Sequence, residues 1–144
     1  MLIAAVCVLL LVATTVLHYE VLRLLSFWLM RFAIQRRAKL LVVIFGTFTS
    51  HALQVLLYAF GYMALAEGFH LGKLTGGTST FTDYLYFSAE TYTSLGFGDL
   101  IPVGPLRLVA GVETLNGLLL IGWSASYIYI SMERFWTGTD GSDR

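Results

Sequence analysis

Charge is scarce in this chain and cysteine is almost missing. Lys and Arg number 9, Asp and Glu 9, together 12% of 144 residues, whereas 57% are hydrophobic. Soluble domains carry roughly a quarter charged residues, so the balance points to a membrane protein. The formal net charge of zero argues against nucleic acid or an anionic surface as the main partner. The single cysteine, Cys7, lies in an apolar run and cannot close a disulfide within the chain, so it reads as a buried, inert thiol. Also missing are internal repeats, motifs for nucleotide, calcium or phosphate, and any Ser/His/Asp or metal-ligand constellation. An enzyme reading therefore has no support, and no organic cofactor is expected.

Three apolar stretches are long enough to cross a bilayer, which takes about 20 residues in a helix. They run from Leu2 to Leu17 with an apolar continuation through Leu25, from Leu40 to Ala66, and from Leu106 to Met132. A cleaved signal peptide is the alternative for the first. No basic residue precedes it and no small-x-small site follows, so a retained helix is expected. Arg31, Arg36, Arg37 and Lys39 cluster between the first two spans and Arg134 follows the third, while only Lys73 and Arg107 lie between the second and third. The positive-inside rule then predicts an outside N-terminus and a cytoplasmic C-terminus, in a multi-pass protein of the plasma membrane. Trp28 and Trp136 suit the cytoplasmic interface.

From Tyr19 to Arg37, charged residues alternate with Leu, Phe and Trp, which predicts that the first helix emerges and then lies along the cytoplasmic surface among lipid headgroups. The arginines lack the regular spacing of a voltage sensor. Residues 67–79 read as an exposed outer loop. Thr80 and Asp83, three apart, form an N-cap signature for a helix of about three turns starting at Phe81. That segment is too short to span and too aromatic for a loop, so a re-entrant helix is expected. Gly96-Phe97-Gly98 follows it, non-helical backbone that is tolerated at membrane depth only where protein buries it or water lines it. Glycines at alternate positions permit the positive φ that aims successive carbonyls one way. The run Ser94, Leu95, Gly96, Phe97, Gly98 therefore suits a line of oxygens replacing the hydration shell of a potassium ion, with the Ser94 hydroxyl innermost.

Residues Tyr86 to Val103 resemble the pore helix and filter of the potassium channel family, and the resemblance extends from about Leu40 to Arg134. It implies an all-α membrane protein in which outer helix, pore helix, filter and inner helix occupy 39–136. Residues 1–38 add an N-terminal helix with an interfacial segment, and 137–144 form a short polar tail. It implies a homotetramer among membrane lipids, with Thr93, Ser94, Leu95, Gly96, Phe97 and Gly98 as the filter and K+ held at Ser94, Leu95, Gly96 and Phe97. By the same resemblance Glu90 pairs with Asp99 behind the filter, the alternative being Glu90 bonded only to backbone N–H groups. Gly117 falls at the inner helix's gating hinge, and Leu118, Ile121, Ala125 and Tyr129 on its cavity-lining stripe. The usual Thr, Val and Tyr of the filter are Ser94, Leu95 and Phe97, which implies a more deformable filter and weaker selectivity. A weakly selective monovalent cation channel and a non-conducting scaffold are the rival readings.

Thr47, Ser50, His51, Gln54 and Tyr58 share one face of the second span, which should meet protein rather than lipid, as should Glu113 and Asn116 on the third. At 1.5 Å per residue, His51 lies about 18 Å from the cytoplasmic end of a ~30 Å core and Glu113 about 10 Å from the outer end. Their depths nearly coincide, which makes a pH-sensitive His51–Glu113 pair geometrically feasible beside the plainer reading of both as packing. His18 and His70 read as interfacial or exposed. No cytoplasmic ligand-binding domain is expected, which leaves lipid, pH, voltage on the filter or a partner as gating stimuli.

Overall fold

The computed structural model describes residues 1–31 and 35–137. Helix α1 spans Leu2–Arg31 and α2 Arg36–Met63. A single π-helical turn, Ala64–Gly68, prolongs α2. Strand β1 (Lys73–Thr75), the short helix α3 (Phe81–Tyr92) and strand β2 (Ile101–Val103) follow, and α4 (Leu106–Thr137) closes the chain. Helices α1, α2 with its π turn, and α4 are long and apolar enough to cross a membrane. Helix α3 is re-entrant between the second and third.

Helix α2 is the hub, packed on α1, α3 and α4. Small residues set how closely α1 approaches it. At Gly61 an added Cβ would meet the Leu10 side chain at 2.9 Å, and at Gly46 the Leu25 side chain at 2.6 Å. Helix α3 wedges between α2 and α4 through Tyr84, Phe87 and Tyr92, which join Tyr58, Tyr62, Leu65, Leu106 and Val109 in the buried core. Its start is fixed as the sequence predicts. Thr80 accepts from the Asp83 N–H, and Asp83 Oδ2 accepts from the N–H groups of Thr80 at 3.1 Å and Thr78 at 2.8 Å. Those bonds hold the exposed Asp83 carboxyl below its usual range.

Three expectations change. The first helix does not emerge at Tyr19. It runs unbroken to Arg31 with Leu22 and Leu29 buried, because this stretch packs on α2 through Leu25 against Gly46 and on α4 through Ser26 and Tyr127. His18 is fully buried, neither interfacial nor exposed, whereas His70 is exposed at φ 53°. The outer loop is partly ordered, since β1 pairs antiparallel with β2 in the register Lys73↔Val103, Leu74↔Pro102, Thr75↔Ile101. The expectations for Trp136 and for the tail beyond Thr137 lie outside the described residues and side chains.

Candidate functional site

The last turn of α3 and the loop after it form the site. Thr93 caps α3, its N–H bonding back to the Ala89 carbonyl. The chain then enters a conformation that repeats every second residue, with φ 59° at Ser94, 54° at Gly96 and 80° at Gly98. Alternation of this kind is what the two glycines were expected to permit, and Ser94 shares it without being glycine. The amides turn back onto the pore helix. The N–H groups of Leu95 and Gly96 reach the Glu90 carbonyl at 2.8 and 3.4 Å, that of Ser94 reaches the Thr91 carbonyl, and that of Phe97 reaches Glu90 Oε2 at 3.1 Å. The carbonyls from Thr93 to Gly98 accept no hydrogen bond among the described residues. All seven residues from Thr93 to Asp99 are exposed, Leu95 by 59% and Phe97 by 66%.

Glu90 is buried and props the loop from behind. Burial pushes its carboxyl up, the bond from Phe97 opposes this, and the neighbouring Asp99 charge adds to it. The direct Glu90–Asp99 pair is not formed. Glu90 bonds to the Phe97 N–H, and the Asp99 carboxylate takes the Leu100 N–H at 3.0 Å with the Tyr86 hydroxyl nearby. Tyr86 is thus a supporting residue that sequence reasoning missed. Its place one turn before Glu90, on the same face of α3, was the available signal. The outer loop braces the same segment, because Gly76 lies so close to the Asp99 carbonyl that a Cβ would collide with it.

Gly117 is buried where α4 crosses the end of α3, and a Cβ there would strike the Tyr92 carbonyl. Helix α4 continues through it without a break. Leu118, Ile121, Ala125 and Tyr129 all lie on the exposed side of α4.

His51 and Glu113 do not meet. Glu113 is bonded by the hydroxyls of Tyr62 and Ser88, each at 2.5 Å, while His51 contacts Tyr92 Oη and Ser124 Oγ, each at 2.9 Å. The antiparallel register of α2 and α4 sets His51 opposite Ser124 and Tyr62 opposite Glu113. Depths counted from a ~30 Å core misjudged this register, because α2 and its π turn together run from Arg36 to Gly68, about 50 Å of helix. The shared polar face itself is as read, with Thr47, Ser50, Gln54 and Tyr58 buried.

The profile of a family described as “Ion channel”, of the two-helix pore type, matches residues 39–134. The inward rectifier potassium channel Kirbac3.1 of Paramagnetospirillum magnetotacticum is 34% identical over 89 residues, 61% of this chain and 29% of that protein. The uncharacterized membrane protein YdjJ of Bacillus subtilis (strain 168) is 43% identical over 51 residues, 35% of this chain and 15% of that protein. The chain thus spans less than a third of the length of either curated relative. No solved structure matches it. The matched region takes in α2, the pore helix, the loop of alternating φ and nearly all of α4, and the chain belongs to the ion-channel family of the two-helix pore type.

Proposed function

We propose that four copies of this chain surround a pore that conducts K+ selectively and passively, with Thr93, Ser94, Leu95, Gly96, Phe97 and Gly98 as the filter. The observation that carries this is the contrast within that loop, whose amides from Thr93 to Phe97 are bonded inward while its carbonyls have no partner among the described residues and its residues are exposed. Irregular backbone at membrane depth must be covered by protein or line water. A four-fold ring meets both conditions, because neighbours cover one side of each loop and the carbonyls face a common axis. Potassium would be held at Ser94, Leu95, Gly96 and Phe97, with the partly negative C-terminal end of α3 favouring a cation below. Leu118, Ile121, Ala125 and Tyr129, exposed in one chain, would line the cavity. Bending at Gly117 would part α4 from the Tyr92 carbonyl, so a hinge there would carry motion to the end of the pore helix.

The ring would sit in the plasma membrane with its N-terminus outside and C-terminus cytoplasmic, as the placing of Arg31, Arg37, Lys39 and Arg134 favours. The name of the Kirbac3.1 relative supports potassium as the ion. A second reading, a weakly selective cation channel, draws on Ser94, Leu95 and Phe97, none of which stiffens the loop as Thr, Val and Tyr would. Ion flux from liposomes under potassium and then sodium gradients separates the two, alongside the mass of the detergent-solubilised particle. Potassium flux from a four-copy particle with little sodium flux is the expected result. Equal fluxes, or a monomer or dimer that conducts, would overturn it.

A further inference from the structure

Helix α1 lies outside the region that the family profile matches, yet it reaches the pore helix through buried polar side chains. His18 on α1 is fully buried, as are Ser50 and Gln54 on α2, and Tyr92 and Ser124 are almost so. His18 Nδ1 lies 3.0 Å from Gln54 Nε2, and His18 Nε2 lies 3.3 Å from Ser124 Oγ. Ser124 Oγ is 2.9 Å from His51 Nε2, His51 Nδ1 is 2.9 Å from Tyr92 Oη, and Tyr92 Oη donates to Gln54 Oε1. These contacts close on themselves through five side chains from all four helices.

Donors and acceptors can be assigned around the whole loop. An amide nitrogen only donates, so Gln54 Nε2–H makes His18 Nδ1 the acceptor, and the His18 proton sits on Nε2 and points at Ser124. Tyr92 gives its proton to Gln54, so it accepts from His51 Nδ1–H, and His51 Nε2 accepts from Ser124. Each member then donates to the next. Turning the Gln54 amide over reverses the direction and exchanges the two tautomers. In both directions the two imidazoles are neutral and carry their protons on opposite nitrogens.

We propose that His18, Gln54, His51, Ser124 and Tyr92 form a closed, neutral hydrogen-bond circuit through which α1 positions the C-terminal end of the pore helix, and that a proton on either histidine opens it. A protonated ring donates at both nitrogens. On His18 it would set a donor against the Gln54 amide nitrogen and turn the Nδ1–H toward Ser50 Oγ, 3.1 Å away, and on His51 it would give Ser124 two incoming donors. Each forces a partner to turn, and Tyr92 is next to Thr93, the first filter residue. No carboxylate belongs to the circuit to balance the charge. The other titratable groups facing it are Tyr58 on α2, bonded by Asn116, and Glu113 on α4, bonded by Tyr62 and Ser88. Helix α1 supplies His18 alone, and α3 Tyr92.

The consequence for conduction rests on the filter assignment above, whereas the circuit does not, so the test reads them separately. The full chain carrying His70→Gln, labelled with 15N-histidine, should show two neutral rings of opposite tautomer at neutral pH. Two rings of one tautomer, or a charged ring, would overturn the circuit. Tyr92→Phe removes two adjacent links and Ser124→Ala two others, and either should abolish the opposite pairing; its survival in both would also overturn the proposal. In liposomes, potassium flux should change by about five-fold, the factor carried by one net hydrogen bond, as pH falls from about 7 to about 4. His18→Gln should flatten that response, and an unchanged response in His18→Gln and in His51→Gln would remove the positioning role. Opposite tautomers without any flux would uphold the circuit and refute the conduction reading.

Discussion

Tyr92 and Thr93 are neighbours in sequence and belong to opposite kinds of structure. On the side of α3 that faces α2 and α4 the polar side chains are buried and bonded; Tyr92 itself is 1% exposed, its hydroxyl bonded to His51 and Gln54 of α2 and its backbone packed on Gly117 of α4. From Thr93 to Asp99 every residue is exposed and the carbonyls of 93–98 have no partner among the described residues. Irregular backbone at membrane depth is tolerated only where protein covers it or water lines it, and on the proposed reading the exposed carbonyls meet an ion and other copies of the chain. The rigid region exists to hold the incomplete one. Its Glu90 and its pore-helix carbonyls take up the loop's amides and leave the carbonyls free.

The strongest way to break this contrast is Gly96→Ala. The φ of 54° is unfavourable for a residue with a Cβ, at roughly 1–2 kcal/mol per chain, and relaxing it would turn carbonyls away from the axis. Selective potassium flux should be lost while the particle still assembles, and wild-type currents would remove the filter assignment. Next comes Gly117→Ala. Its Cβ would collide with the Tyr92 backbone, which has little freedom to move, so overpacking should cost about 1–3 kcal/mol per chain. The detergent-solubilised particle should melt at lower temperature, and an unchanged melting curve would mean that α4 does not approach α3 so closely.

Glu90 allows the contrast to be sharpened by pH. Its folded carboxyl is raised by burial, so its contribution is fully present below the usual carboxylate range and is lost as pH rises through the raised value. Wild type should gain stability on acidification relative to Glu90→Gln, and parallel melting curves from acid to neutral pH would contradict this. Thr80→Ala should have the smallest effect. Losing the capping oxygen at the far end of α3 should cost about 1 kcal/mol and leave selectivity alone. A changed ion preference would show that the cap also shapes the filter.

The parts legible in sequence are those coded by local pattern. Hydropathy found three helices, Thr80 and Asp83 announced α3, and alternate glycines announced the loop, because each signal lies within a few residues of its effect. Partners across helices were harder to read. His18 read as interfacial because the run around it is mixed in character, and its burial depends on where α1 meets α2 and α4. The His51–Glu113 pairing failed on register, which two helices settle by packing along their whole length. Glu90 was read as supporting the loop after α3, and its bond to Phe97 rather than Asp99 depends on side-chain geometry. Strands of three residues, as in β1 and β2, are too short to show a period.

The most direct measurement is the reversal potential of currents from the purified protein in a planar bilayer, with potassium on one side and sodium on the other. A reversal displaced far from zero in the direction that potassium flow sets, lost in Gly96→Ala, is the predicted result. A reversal near zero, or currents unaffected by Gly96→Ala, would contradict a potassium-selective filter at Thr93 to Gly98.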